Sequence, residues 1–134
     1  MKNDLAIGID IGGTNIKYGF VTRSGKILNS SLLKMKDYPT VTDFINGMRD
    51  TVRPIIQELS KEYEIRGVGI GAPNGNYYTG NIEYAPNLTW TGIIPLRKLI
   101  SEAFSIPAAL TNDANAAAVG EMMFGAAKGM DDFI

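Results

Sequence analysis

The chain opens on a stretch, LAIGIDI, that is apolar at nearly every position, and continues into NIKYGFVT, where Ile16, Tyr18 and Phe20 alternate with Lys17 and Gly19. The first pattern predicts a buried strand, the second a strand with one face on a core. Ser24 to Lys26 reads as a turn into ILNSSLLKM, so three strands joined by short glycine-containing turns predict an antiparallel meander. From about Thr42 the period changes. Phe44, Ile45, Met48, Val52, Ile55, Ile56, Leu59 and Tyr63 recur at helical spacing, with Pro54 expected to kink or split the helix. IRGVGIGAP predicts the next buried strand, and an irregular aromatic stretch, NGNYYTGNIEYAPNLTWTG, follows it. A short helix near Pro95 to Phe104, a strand PAALT and an Ala-rich helix from about Ala114 to Ala127 complete the pattern. The order βββαβαβα puts helices between the later strands, which predicts an α/β fold with parallel crossovers and a mixed sheet.

The length of 134 residues with 45% apolar content fits one domain with one core. Thirteen basic and 14 acidic residues leave a formal net charge of -1, which argues against a nucleic-acid partner held through its phosphates. With no cysteine and no histidine, the chain builds neither disulfides nor thiolate and imidazole zinc sites. No apolar run approaches the ~20 residues that span a bilayer, so no membrane partner is expected and a reducing, cytoplasmic setting fits best. The final GMDDFI places Phe133 and Ile134 at what reads as the start of a further strand. The expectation is therefore a chain cut from a longer protein; the alternative is a frayed end.

Two stretches break local rules. In DIGGTN, Asp10 stands in an apolar strand just before Gly12 and Gly13, although strand interiors disfavour both residue types. Paired glycines let backbone N–H groups converge on an anion, and Thr14 adds a hydroxyl. An alternating strand follows instead of a helix, so the loop is neither a Walker nor a Rossmann motif. A hairpin phosphate cradle, with Asp10 facing Mg²⁺ or its water shell, is one reading; an ordinary Gly-Gly hairpin whose Asp accepts backbone hydrogen bonds is the other. In LTNDANAAAVGE, Asn112 and Asp113 fall between a strand end and a helix start, where ligands of α/β sheets gather. A helix needs one cap, and Asn112, Asp113 and Asn115 together exceed that need. A helix N-terminus would be expected to keep Asp113 ionised, as a general base requires, and Asn112 offers a donor and an acceptor to hydroxyl groups.

Taken in order, D-x-G-G-T-x-x-K at Asp10 to Lys17, GIGAP at Gly69 to Pro73, APNL at Ala85 to Leu88 and NDANAAAVGE at Asn112 to Glu121 resemble the ROK family of bacterial sugar kinases and sugar-responsive repressors. That family lies within the actin, hexokinase and heat-shock ATPase superfamily. The resemblance implies the N-terminal lobe of a two-lobe kinase, ribonuclease-H-like in topology, with the C-terminal lobe missing from residues 1–134. It implies ATP and Mg²⁺ as cofactors, a hexose substrate with glucose the first choice, and a homodimer when full length. By position, Asp113 corresponds to the catalytic base, and Asn112 and Asn87 to sugar contacts. Gly12, Gly13 and Thr14 correspond to the first phosphate loop, with Asp10 near Mg²⁺ and Lys17 either reaching phosphate or standing as an exposed strand lysine.

Departures matter as well. After GAP this chain has NGNYYTG where many relatives continue Gly-Pro, so Asn74 and Asn76 are open as sugar contacts. Tyr77, Tyr78, Tyr84 and Trp90 could stack on a pyranose, but packing against one another is the preferred reading. The family's second phosphate loop, Glu/His sugar motif and zinc motif are absent, so this chain alone is expected to turn over no sugar. An N-acetylhexosamine kinase is the alternative enzyme. A sugar-sensing regulator is the alternative class; it would need a helix-turn-helix ahead of the first strand, and with that strand starting within a few residues of Met1 the expectation is that none is present. A superfamily member used for assembly or chaperoning would lack APNL and NDAN, which are both present.

Overall fold

The computed structural model of the protein describes residues 2–112, 118–120 and 122–124. Strands β1 (Asn3–Ile11), β2 (Asn15–Thr22) and β3 (Ile27–Lys34) form the antiparallel meander that the alternation predicted. Helix α1 (Val41–Leu59) then leads to β4 (Tyr63–Ala72), and α2 (Leu96–Phe104) leads to β7 (Ala108–Asn112). Both later strands run parallel to β1, so the five-stranded sheet has the order β3-β2-β1-β4-β7 and is mixed.

The structure adjusts three expectations. Helix α1 is not split at Pro54 but runs through it as one element, because four buried residues upstream, Phe44, Ile45, Met48 and Val52, anchor it to the core and tertiary packing offsets the lost backbone hydrogen bond. Tyr63, which keeps the helical spacing, is the first residue of β4; the helix ends at Leu59, and the N–H of Ser60 bonds back to the carbonyl of Ile56. The aromatic stretch is not wholly irregular. It carries a short antiparallel pair, β5 (Ile82–Glu83) and β6 (Ile93–Ile94). The start of α1 is set by a capping box: the N–H of Asp43 donates to Thr40 Oγ1 at 3.1 Å, and the N–H of Thr40 donates to Asp43 Oδ2 at 3.3 Å.

The period-2 pattern of β1 sorts the two faces of the sheet. Leu5, Ile7, Ile9 and Ile11 join Phe44, Met48 and Val52 of α1 and Leu96, Ile100 and Phe104 of α2 in the main core. Ala6, on the opposite face, belongs to a smaller cluster with Met123 and Phe124. Ala118–Gly120 and Met122–Phe124 are helical, and they lie on a floor of glycines. A β-carbon on Gly69 would overlap the Val119 carbonyl oxygen, and one on Gly120 would stand 2.6 Å from Val21 Cγ2. The helix therefore lies close against the sheet because no side chains intervene. The rest of the expected Ala-rich helix, with Asp113, Asn115 and Glu121, and the C-terminal Phe133 and Ile134 lie outside the described residues.

Candidate functional site

β1, β4 and β7 are adjacent and parallel, so their carboxyl ends open on the same edge of the sheet. A cleft of about 420 Å³ lies there, lined by Asp10 and Ile11 from β1, Gly12 and Gly13 from the turn, Ala72, Pro73 and Asn74 after β4, Asn87, and Asn112 from β7. The location is the one where crossovers leave room for ligands in α/β sheets. Five of the residues singled out from the sequence, Asp10, Gly12, Gly13, Asn87 and Asn112, thus share one cavity despite lying as far apart as 102 positions along the chain, from Asp10 to Asn112.

The turn between β1 and β2 is held in two ways. The N–H of Gly12 donates to the Asn15 carbonyl at 2.9 Å, and the Thr14 carbonyl accepts the N–H of Met35 at 2.9 Å. The Gly12 amide is therefore committed to the hairpin. Among the described residues no backbone acceptor takes the N–H of Gly13 or Thr14. Gly13 has a further constraint: a β-carbon there would stand 2.9 Å from the carbonyl oxygen of Asn87. The glycine lets the loop and the APNL segment touch, which brings Asn87 to the cleft. Thr14 lines an adjoining hollow with Asn15, Lys34, Lys36 and Thr89.

Asp10 is half-buried and pairs directly with Lys17 across the β1–β2 ladder, which puts both on the same face of the sheet. Lys17 is exposed and is not among the residues that line the cleft. Asn74 and Asn76 have structural duties. Asn74 adopts a left-handed φ of 56°, and its Nδ2 donates to the carbonyls of Glu83 and Tyr84, both at 3.0 Å. Asn76 Oδ1 accepts the N–H of Tyr78 at 2.9 Å, and its Nδ2 donates to Glu83 Oε1 at 3.1 Å. The Asn-Gly pair at 74–75 is a turn signal, and it marks this bend in the sequence.

The aromatic residues divide. Trp90 is 3% exposed, its ring centroid lies 4.9 Å from that of Phe44, and its Nε1–H donates to the Tyr38 carbonyl at 2.8 Å. It belongs to the core and not with the tyrosines. Tyr77 and Tyr78 do pack on each other, edge to face at 5.6 Å, while Tyr78 and Tyr84 remain exposed. No group of three or more Asp, Glu, His or Cys side chains that could hold a metal is found among the described residues.

A mixed sheet with an antiparallel meander, parallel crossovers and a cleft at its carboxyl edge is an arrangement of the actin-like ATPase fold. The chain belongs to the ROK family, whose pattern matches residues 6–134. It is 36% identical over 126 residues to a glucokinase of Streptomyces coelicolor, covering 93% of this chain and 38% of that protein. It is 30% identical over 135 residues to the xylose repressor of Bacillus subtilis, covering 99% of this chain and 34% of the repressor. Among solved structures it resembles a ROK family glucokinase from Streptomyces griseus in complex with glucose and AMPPNP, with a TM-score of 0.62 and 35% identity over 93% of this chain and 38% of that one. The chain therefore spans well under half the length of each of these relatives.

Proposed function

We propose that the protein carrying this chain is an ATP-dependent hexose kinase, glucose being the first substrate to test, and that residues 1–134 supply its first phosphate loop, part of its sugar site and its catalytic base. What carries the reading is the convergence of Asp10, Gly12, Gly13, Asn87 and Asn112 on one cleft at the carboxyl ends of three parallel strands. The similarity to glucokinases supports it. A second lobe closing over this cleft, a homodimer and a cytoplasmic location complete the proposal.

The residues fit the groups this reaction requires. The N–H groups of Gly13 and Thr14 offer two donors to phosphate oxygens without a Cβ in the way at Gly13. Asp10 gives one carboxylate, which suits Mg²⁺ held largely by its own waters and by phosphate. Bound there, the ion would neutralise charge on the transferring phosphoryl group. The carboxamides of Asn87 and Asn112 orient hydroxyls, since each presents a donor and an acceptor. Asp113, the next residue after Asn112, takes the proton of the attacking hydroxyl. Phosphoryl transfer asks mainly for alignment and charge neutralisation, so an ordinary carboxylate suffices. The test is a coupled assay of the full protein with ATP, Mg²⁺ and glucose: saturable turnover supports the kinase, and its absence with intact nucleotide binding rejects it.

The xylose repressor among the relatives supports a second reading, a sugar-responsive regulator that keeps the cleft for sensing. Sugar binding without phosphorylation in the same assay distinguishes it.

A further inference from the structure

A second hollow of about 550 Å³ opens beside the cleft and shares Asn74 and Asn112 with it. Its other lining residues are Gly75, Asn76, Tyr77, Tyr78, Glu83 and Thr111. Three features set it apart from ordinary surface relief. The first is a carboxylate with a fixed orientation: Glu83 is half-buried, Oε1 accepts from Asn76 Nδ2 at 3.1 Å, and Oε2 accepts from Thr79 Oγ1 at 3.3 Å. Each carboxylate oxygen keeps a lone pair beyond these bonds.

The second is an aromatic wall that the fold holds out to solvent. Tyr78 is 89% exposed, and it packs edge to face with Tyr77 at 5.6 Å. The third is the rigidity of the loop that carries them. Asn76 Oδ1 accepts from the N–H groups of Tyr78 and Thr79, the Gly80 N–H donates to the Asn76 carbonyl at 2.8 Å, and Arg97 Nη1 donates to the Tyr77 carbonyl at 3.2 Å. A loop braced this heavily around exposed rings loses little entropy when a ligand settles on them.

An aromatic face beside an oriented carboxylate matches a pyranose, whose axial C–H groups stack on a ring and whose hydroxyls donate to oxygen. The shared Asn74 and Asn112 make this hollow continuous with the site assigned above to the reacting sugar. We propose that Tyr77, Tyr78 and Glu83 form a second carbohydrate subsite, which holds the non-reacting pyranose of a disaccharide whose other ring occupies the cleft. The proposal rests on the sugar-site reading of the cleft and extends its substrate class from hexoses to disaccharides. The volume is sufficient, since each hollow lies within the ~300–1,000 Å³ range of small-ligand sites.

The experiment uses the full protein and two variants, Tyr78→Ala and Glu83→Gln, with glucose, maltose and cellobiose as probes. Calorimetric binding and steady-state phosphorylation are both measured. The expected result is that at least one disaccharide binds, and that each variant weakens it about tenfold while glucose binding changes less than about twofold. Unchanged melting curves would establish that the variants fold. Disaccharide binding that is absent, or that the variants leave intact, overturns the subsite even where glucose is phosphorylated. Disaccharide binding lost in the variants without phosphorylation of any sugar upholds the subsite and rejects the kinase.

Discussion

Gly13 and Asn87 meet backbone to backbone: a single added carbon on the glycine would lie 2.9 Å from the asparagine's carbonyl oxygen. Seventy-four positions separate them, yet the contact joins the first turn to the APNL segment and fixes one wall of the cleft. The carbonyl is part of the main chain and cannot rotate away as a side chain could.

Gly13→Ala therefore forces the two segments apart. We expect a stability loss of about 1–3 kcal/mol, as for other overpacked contacts. Displacement of Asn87 and the loop amides together should lower kcat/KM of the full protein about 10²-fold. Thermal melting and steady-state kinetics check both effects. A variant with normal kinetics would show that the contact does not position the site.

On the proposed kinase reading, Asp113→Asn and Asn112→Ala separate proton transfer from sugar holding. Asn and Asp cap helices about equally, so Asp113→Asn should leave stability nearly unchanged. It should lower kcat by ~10²- to 10⁴-fold with a much smaller change in KM for the sugar. Asn112→Ala should instead raise KM with a smaller loss of kcat, because the sugar contacts proposed for it would form in ground and transition states alike. Near-normal kcat in Asp113→Asn would remove Asp113 from the role of base.

Gly69→Ala tests how the helix containing Val119 is seated. The new β-carbon would overlap the Val119 carbonyl oxygen, which is also backbone. We expect a loss of at least about 3 kcal/mol, beyond the usual range for overpacking. Hydrogen exchange should quicken first at 118–120 and 122–124, where the helical residues lift from the sheet. Protection that is unchanged there would mean the sheet yields instead.

At the opposite end of β1, Asp4 accepts hydrogen bonds from Arg23 Nε at 2.6 Å and Arg66 Nε at 2.8 Å. The Arg23 hydrogen bond is the largest cause holding the Asp4 carboxyl below the usual 3.8; burial opposes it, and Arg66 adds to it. A carboxylate with a lowered folded pKa stabilises the fold fully above its unfolded value, and that stabilisation fades as pH falls through the folded one. Asp4→Asn should therefore cost up to about 1 kcal/mol at pH 7, the range of partly exposed pairs. The gap between wild type and variant should narrow below about pH 4. Urea melts at pH 7 and pH 3 decide; a gap that widens in acid contradicts the assignment.

The order of the five main-sheet strands and of α1 and α2 was legible from the chain alone, because apolar period 2 in NIKYGFVT and period 3.6 in 44–59 leave few ways to cover a core; the short β5–β6 pair was not. The candidate residues were legible for a related reason. Asp10 in an apolar strand and a surplus of Asn and Asp at 112–115 violate local preference, and such violations mark sites. The end of α1 was not legible: Tyr63 keeps the helical spacing but belongs to β4, since periodicity registers which residues are apolar and not where the backbone turns. Trp90 was not legible either, because a tryptophan in a polar loop gives no sign that Phe44 and the Tyr38 carbonyl will receive it.

The sequence by itself determined the antiparallel meander, the two crossover helices, the mixed sheet and the candidate site residues, through local propensity and periodicity that act over a few neighbours. Only the tertiary structure decided that Gly12 spends its amide on Asn15, that Gly13 seats Asn87, and that Asn74 and Asn76 brace the loop that carries Tyr77 and Tyr78. Which of several possible partners a hydrogen-bonding group takes, and which glycine must lack a side chain, depends on segments that packing brings together from far apart in the chain.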